Sequence, residues 1–377
     1  MGISHNAARE RGERVTSFDV TDFPMPHGRE EEWRFTPLER LKAVLDDAPS
    51  DARLEWTTTL PDGVELTELS AVDARARTVS APVDRPSALA VAHSGGAVLV
   101  RVPAELELAE PIVLRLHGRS RDDVVWGHVL VEVGHHAKAT LLVEHTGSAQ
   151  YAAQISIRVD DGARVDFISV QTWADDAVHV GHTAARLGRD AALRVFEVTL
   201  GGETVRLAQT VEYDGPGGDA DLLGIYFADA HQHLEHRLFA DHAVPRCKSR
   251  VTYKGALQGE GAHTVWIGDV LIRAAAEGTD TYEVNRNLVL TDGARADSVP
   301  NLEIETGEII GAGHASATGR FDDEQLFYLQ ARGIPEDEAR RLVVRGFFAD
   351  LVQRIGIPEL EERLIEALER ELAVATA

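Results

Sequence analysis

The 377-residue chain has one cysteine, Cys247. A single thiol excludes internal disulfides and any metal cluster held by this chain's thiolates alone. As a small hydrophobe, Cys247 is expected to be buried and structural. Positive charge is also scarce: 38 Lys and Arg stand against 62 Asp and Glu, a formal net charge of −24. A nucleic-acid backbone is gripped mainly by clustered cations, and so is an anionic membrane surface, so both are excluded as partners and another protein is expected. No run approaches the roughly 20 apolar residues that a membrane span needs. The N-terminal stretch MGISHNAARERGERV has no apolar segment behind its charges, and Asn6 stands where N-myristoylation wants Ser or Thr. A cytoplasmic location follows as the expectation. The chain also lacks a G-x-x-x-x-G-K-[ST] phosphate loop, so any nucleotide chemistry must lie in a partner.

An apolar fraction of 44% is ample for a core, and its pattern changes along the chain. Residues 1–85 read as helical and irregular. Thr36 is placed as an N-cap, Pro37 at the first helical position, and Leu38, Leu41 and Leu45 share one helical face that stops near Asp46-Asp47-Ala48-Pro49. Trp33 and Phe35 are expected to anchor this region. From 86 to 318 short alternating strands follow, such as AVLVRV (97–102), IVLRLH (112–117), ATLLVEH (139–145), AQISIRV (153–159) and ARVDFISV (163–170). Small residues recur after Gly or Asp turns at Ala137, Ala163, Ala192 and Ala220, spaced by 26, 29 and 28 residues, with two strands per unit. Leucine-rich repeats would need a Leu ladder that is absent, and propeller blades need more residues per unit. A mainly β fold with a right-handed parallel β-helix core is predicted, an antiparallel sandwich being the alternative. From 319 to 377 the period turns helical. Asp322 or Asp323 caps EQLFYLQAR, Gly333 ends it, and Val344, Phe348, Leu351 and Ile355 line the next helix with Phe347 beside them. After a break at Gly356 comes a last amphipathic helix.

Three groups invite a functional reading. His314 sits among small residues in GAGHASATG, where an imidazole can meet a partner or an iron ion. HQHLEHRLFADH gathers His231, His233, His236 and His242. On a strand His231 and His233 would share a face and His236 would point away, and Glu235 is too close for a cupin-type metal site, so a solvated or partly packed strand is expected. Finally, Leu326, Phe327, Tyr328 and Leu329 cannot all bury on one face of a short helix. Either they meet a partner or they pack against the end of the β-helix and cap its edge.

Several phrases in order resemble the SufB/SufD family of iron–sulfur cluster assembly proteins, its SufD branch more than its SufB branch. They are EEWRFTPL (31–38), Asp241-His242, Ser249, YKGAL (253–257), Thr279-Asp280-Thr281-Tyr282, Asn285-Arg286-Asn287-Leu288, Pro300 with LEIE (302–305), Gly311 to Gly319, and DEQLFYLQARGI (323–334). The resemblance implies a parallel β-helix flanked by helical ends in a non-enzymatic scaffold subunit. Its partners would be a SufB-like paralogue, met at the end of the β-helix, and a SufC-like ATPase whose hydrolysis reshapes the junction; in isolation a homodimer is the alternative. His314 would face the paralogue, where a transient iron–sulfur cluster forms, and is the one candidate metal ligand. Gln325, Leu326, Tyr328, Arg332, Phe347 and Phe348 would serve the ATPase dock. Many members carry a cysteine two residues before the histidine, where this chain has Ala312, so no cofactor is expected on this chain alone; no motif bears on flavin binding. The competing readings are a SufB-like cluster builder, disfavoured by the lone cysteine, a β-helical carbohydrate-active enzyme, disfavoured by dispersed acids, and a His-metal enzyme resting on residues 231–242.

Overall fold

The repeat has a backbone cause. At one corner of each coil a residue in the left-handed region precedes a small buried one: His136–Ala137, Gly162–Ala163, Asp190–Ala191, Gly217–Gly218, Arg246–Cys247 and Gly278–Thr279. Peptides at these corners stack, with Arg164 N donating to Ala137 O at 2.8 Å, Ala192 N to Ala163 O at 2.9 Å, Asp219 N to Ala191 O at 2.9 Å and Lys248 N to Gly218 O at 2.8 Å. The stacked small residues at the last two expected positions are therefore Ala191 and Gly218, not Ala192 and Ala220. Cys247 occupies the next corner, and its thiol approaches the carbonyls of Gly215 and Pro245 at 3.6 Å. It is fully buried, and burial pushes the thiol upward from its usual range, which leaves little thiolate for chemistry.

The structure, a computed structural model, describes residues 14–321 and 323–374. Its body is a parallel β-helix of about eight turns with helices at both ends. Two short antiparallel strands, β1 (Glu55–Thr59) and β2 (Glu65–Ser70), open the sheet where only helix and irregular chain were expected. Their side chains are largely exposed, so they carry little of the apolar alternation that marks a buried strand. β3 (Gly96–Val102) leads into two 22-residue strands, β4 (Ile112–Val133) and β5 (Lys138–Val159). From there each coil has two strands: β6 (Arg164–Trp173) and β7 (Val178–Leu187), β8 (Ala192–Thr199) and β9 (Thr204–Tyr213), β10 (Asp219–Ala228) and β11 (His233–His242), β12 (Lys248–Leu257) and β13 (His263–Ile272), β14 (Asp280–Val289) and β15 (Arg295–Ile304). β16 (Gly311–Arg320) comes last. β5 joins two parallel series, β6-β8-β10-β12-β14-β16 and β7-β9-β11-β13-β15.

Side chains facing inward stack in register through the coils. One ladder runs Ile112, Leu141, Phe167, Val195, Leu222, Val251, Glu283 and His314. The interior is narrow, and large rings fit because glycines lie on neighbouring strands. Any Cβ on Gly255 of β12 would fall inside the ring of Tyr226, which is fully buried and stacked on His236 with centroids 5.0 Å apart. Gly255→Ala is therefore expected to destabilise the chain by about 1–3 kcal/mol through overpacking, measured as a lowered denaturation midpoint. An unchanged midpoint would show that the ring can yield.

Three helices lie near the start: α1 (Lys42–Leu45), α2 (Ala71–Arg77) and α3 (Arg85–His93). The helix expected from Thr36 is only a 3-10 turn, Leu38–Arg40, followed by the single turn of α1. Thr36 does not cap it; its hydroxyl donates instead to Glu235 Oε2 at 2.7 Å. At the other end stand α4 (Asp323–Gln330), α5 (Glu336–Val352) and α6 (Pro358–Val374), with Gly333 and Gly356 in the left-handed region between them. The cap expected at Asp322 lies outside the described residues. Val344, Phe348, Leu351 and Ile355 are buried together with Leu360, Leu364 and Leu368, against Ile168, Phe196, Leu223 and Phe227 on the outer face of the β6–β16 series. Lys254 of β12 fixes this packing by donating to Phe347 O at 2.8 Å and to Asp350 at 2.6 Å. The helices thus fold back along the side of the solenoid, and among the described residues none covers its end. The outward residues of those strands are apolar enough to hold α5 and α6 there.

Candidate functional site

β15 and β16 close the strand order, and among the described residues each pairs along one edge only, with β13 and β14. Their burial falls off accordingly: the inner strands are mostly buried, whereas β15 is half-buried and β16 largely exposed. The outer edge offers unpaired N–H and C=O groups, a ready template for another chain. Exposed Ile304 and Ile310 add apolar surface beside it.

The interior turns polar toward this end. Tyr226 donates to Asn287 Oδ1 at 2.6 Å, and Asn285 donates back to the Tyr226 hydroxyl at 2.9 Å. Asn287 reaches Asn285 at 2.8 Å and the Thr318 hydroxyl on β16 at 3.4 Å. Ser316 of β16 donates to Ser298 of β15 at 2.8 Å, bridging the two terminal strands across the mouth. The Asn-Arg-Asn phrase thus reads as two inward amides flanking an exposed Arg286.

His314 is exposed on β16, in register with Glu283 of β14. Parallel neighbours lie about 4.8 Å apart, so the two side chains rise from adjacent rungs of one ladder. Glu283 was not singled out in the sequence, although the ladder period marks it: every lower rung is apolar. It is 1% exposed, and neither carboxylate oxygen has a hydrogen-bond partner. Burial, with a smaller contribution from Asp269, pushes its carboxyl up to about 8. Asp269 itself faces away, paired with Arg14 and accepting from Asn301 at 2.6 Å. Ala312, where many family members carry a cysteine, pairs with Thr281 two residues before His314.

The histidine-rich stretch is a different object. His231 has φ 65° and lies in the turn before β11, so it shares no strand face with His233. His233, His236 and His242 are buried, so this stretch is packed more deeply than the solvated or partly packed strand expected there. His236 points inward and meets the Thr199 hydroxyl at 3.0 Å, and its burial pushes it down to about 3. His233 and Glu235 face the N-terminal segment, with Nε2 and Oε2 3.1 Å apart. Glu235 also pairs with Arg237 at 3.0 Å and with Arg206 at 3.3 Å. Burial alone would raise the Glu235 carboxyl, but His233 and the two guanidiniums hold it far below the usual carboxylate range. Arg206, itself buried, adds Asp84 at 2.7 Å and Glu32 at 3.8 Å and lies 4.0 Å beneath the Trp33 ring. Trp33 is the anchor expected; Phe35 is half-buried beneath Arg34, 4.4 Å away. The cluster is an ionic clamp that holds the segment EEWRFTPL on the solenoid. Among the described residues no group of three or more His, Cys, Asp or Glu side chains is arranged to hold a metal.

The other predicted surface divides in two. Phe348 and Leu326 are buried, so neither is free to meet a partner, because helical periodicity turns them inward. Tyr328 is exposed, with the Arg332 guanidinium 4.4 Å over its ring, and Phe327 beside it is 70% exposed. Phe347 is half-buried under Lys254. The side chain of Gln325 lies outside the described residues. Among the described residues no helix is long and apolar enough to cross a membrane.

Comparison with known proteins agrees with this geometry. Residues 116–347 match the family described as SUF system FeS cluster assembly, SufBD core domain. An iron–sulfur cluster assembly SufBD family protein of Mycobacterium bovis is 52% identical, over 99% of this chain and 95% of its own length. A second SufBD family protein of that organism is 27% identical over 57% of this chain and 26% of its own length. Iron–sulfur cluster assembly protein SufD of Bacillus subtilis is 26% identical over 76% of this chain and 66% of its own length. The β-helix, the order of the matched phrases and a 52% relative along nearly the whole chain make one conclusion: this chain belongs to the SufBD family of iron–sulfur cluster assembly proteins.

Proposed function

We propose that the chain is a SufD-like, non-enzymatic scaffold subunit that pairs with a SufB-like paralogue through the open end of its β-helix. The observation that carries this reading is the end itself, which no described helix covers, with two half-paired strands, a polar mouth and exposed His314. Two distinct SufBD proteins matched in Mycobacterium bovis fit a two-paralogue assembly. The buried, upward-shifted Cys247 disfavours a chain that builds a cluster alone. In this reading the cluster is transient cargo at the junction, with thiolates coming from the paralogue, and the complex works in the cytoplasm. Exposed Phe327, Tyr328 and Arg332 on and just after α4 form the dock for a SufC-like ATPase.

Tagged chain purified from its native host should bring down a cysteine-bearing paralogue and an ATPase. Recovery of a lone chain, or of a homodimer only, would sink the reading. Within the recovered complex, His314→Ala should preserve assembly but lower iron and acid-labile sulfide per complex. His314 makes no buried contact, so its loss should leave stability unchanged.

A further inference from the structure

From the open end we infer that Glu283 and His314 together form a binding site for a divalent first-row metal ion, with Glu283 the anionic ligand this chain supplies. The inference rests on the junction reading of His314 and adds a second residue and a ligand class to it.

The ladder isolates the anomaly. Its first six rungs, Ile112 to Val251, are aliphatic or aromatic and buried, and continuing that pattern would put Val, Ile or Leu at position 283. A carboxylate stands there instead, with both oxygens unpartnered. Its Oε1 lies 2.6 Å from where a Cβ on Gly268 would be, so the side chain reaches across the interior to β13, and Gly268 leaves it room. Indole Nε1 of Trp266, two residues along β13, is likewise unpartnered. A buried polar group without a partner is costly, and native structures rarely retain one without a role. The next rung outward is His314, whose imidazole is a good ligand for borderline cations, while carboxylate oxygen suits the same ions. Rungs about 4.8 Å apart let the two side chains meet on one ion once the Glu283 carboxylate swings from Gly268 toward β16. Among the described residues the chain offers these two donors only, in keeping with the absence there of a preformed three-ligand group. Water, or a partner across the half-paired strands, completes the coordination. No thiolate of this chain competes, because Cys247 is buried at a coil corner.

The test uses the full-length chain alone, with Co2+ as a visible spectroscopic probe and anaerobic Fe2+ as a second. Wild type should bind one ion per chain; Glu283→Gln and His314→Ala should each weaken binding by at least about tenfold. Because Glu283→Gln keeps the shape of the side chain, its fold is checked by thermal melting. Glu283→Leu completes the apolar ladder, so it should melt higher than wild type and fail to bind. Wild-type affinity in Glu283→Gln overturns the proposal, as does a Glu283→Leu chain that melts lower than wild type, since the carboxylate would then be structural. Loss of binding in both single variants supports it. The iron and sulfide content of the paralogue complex carrying His314→Ala is read separately and tests only the junction reading.

Discussion

Replacing Arg206 with Met should destabilise the chain by about 3–5 kcal/mol and release its N-terminal segment before the solenoid melts. The guanidinium is 1% exposed and lies between Asp84, Glu235 and Glu32. Removing one partner of a buried ion pair leaves charge that water cannot reach, and that uncompensated charge dominates the effect. Met fills most of the volume, so packing under Trp33 is largely kept and the result reads the electrostatics. Asp84 retains the backbone N–H of Ser87 at 3.0 Å, and Glu235 retains Arg237, His233 and Thr36. Limited proteolysis should then cut within residues 14–50 at protease levels that leave wild type intact, and the denaturation midpoint should fall. A midpoint within 1 kcal/mol of wild type, with no new cleavage, would mean that the clamp is redundant.

The second large effect depends on pH. Glu197 of β8 faces the interior, accepts from Gln171 at 3.2 Å and from Gln209, and is 4% exposed. Burial pushes its carboxyl up to about 7, against weaker opposing hydrogen bonds from Gln209, Ser169 and Gln171. A carboxyl raised in the folded state stays protonated while its unfolded counterpart ionises. Its stabilising contribution is therefore full below about pH 4.5 and declines as pH rises toward 7, by about 3 kcal/mol at 1.36 kcal/mol per unit. Glu197→Gln removes that decline. The variant should gain about 3 kcal/mol relative to wild type between pH 4 and pH 8 in urea denaturation. Gln209 Oε1 has no partner, so turning that amide can accept the new N–H. A difference that stays flat with pH would place the ionisation elsewhere. Glu283 adds a decline of the same sign that runs from about pH 4.5 to about 8, common to both proteins in the comparison.

Much of the architecture could be read from residues close in sequence. The two-strand period, the helix ends at Gly333 and Gly356, and the buried stripe Val344, Phe348, Leu351 and Ile355 all follow from local pattern. The same stripe misled in one respect: Phe348 belongs to the protein's own core, and apolar spacing cannot tell an inward face from one that meets a partner. The helix start at Thr36 failed for a longer-range reason. Its hydroxyl is engaged by Glu235, 199 residues away, and a buried carboxylate outcompetes a local cap.

From the sequence alone came the solenoid, its direction of travel from irregular start to helical end, the structural role of Cys247 and the singling out of His314. Each rests on turn chemistry, burial preference or residue order, which act within a coil or less. Tertiary structure alone decided that no described helix covers the last coil, that the histidine-rich stretch is an ionic clamp, and that Glu283 stands unpartnered beneath His314. Those facts depend on register between coils about 30 residues apart and on which face the closing helices choose. Neither quantity is carried by any local pattern, because stacking brings together residues that the chain itself keeps apart.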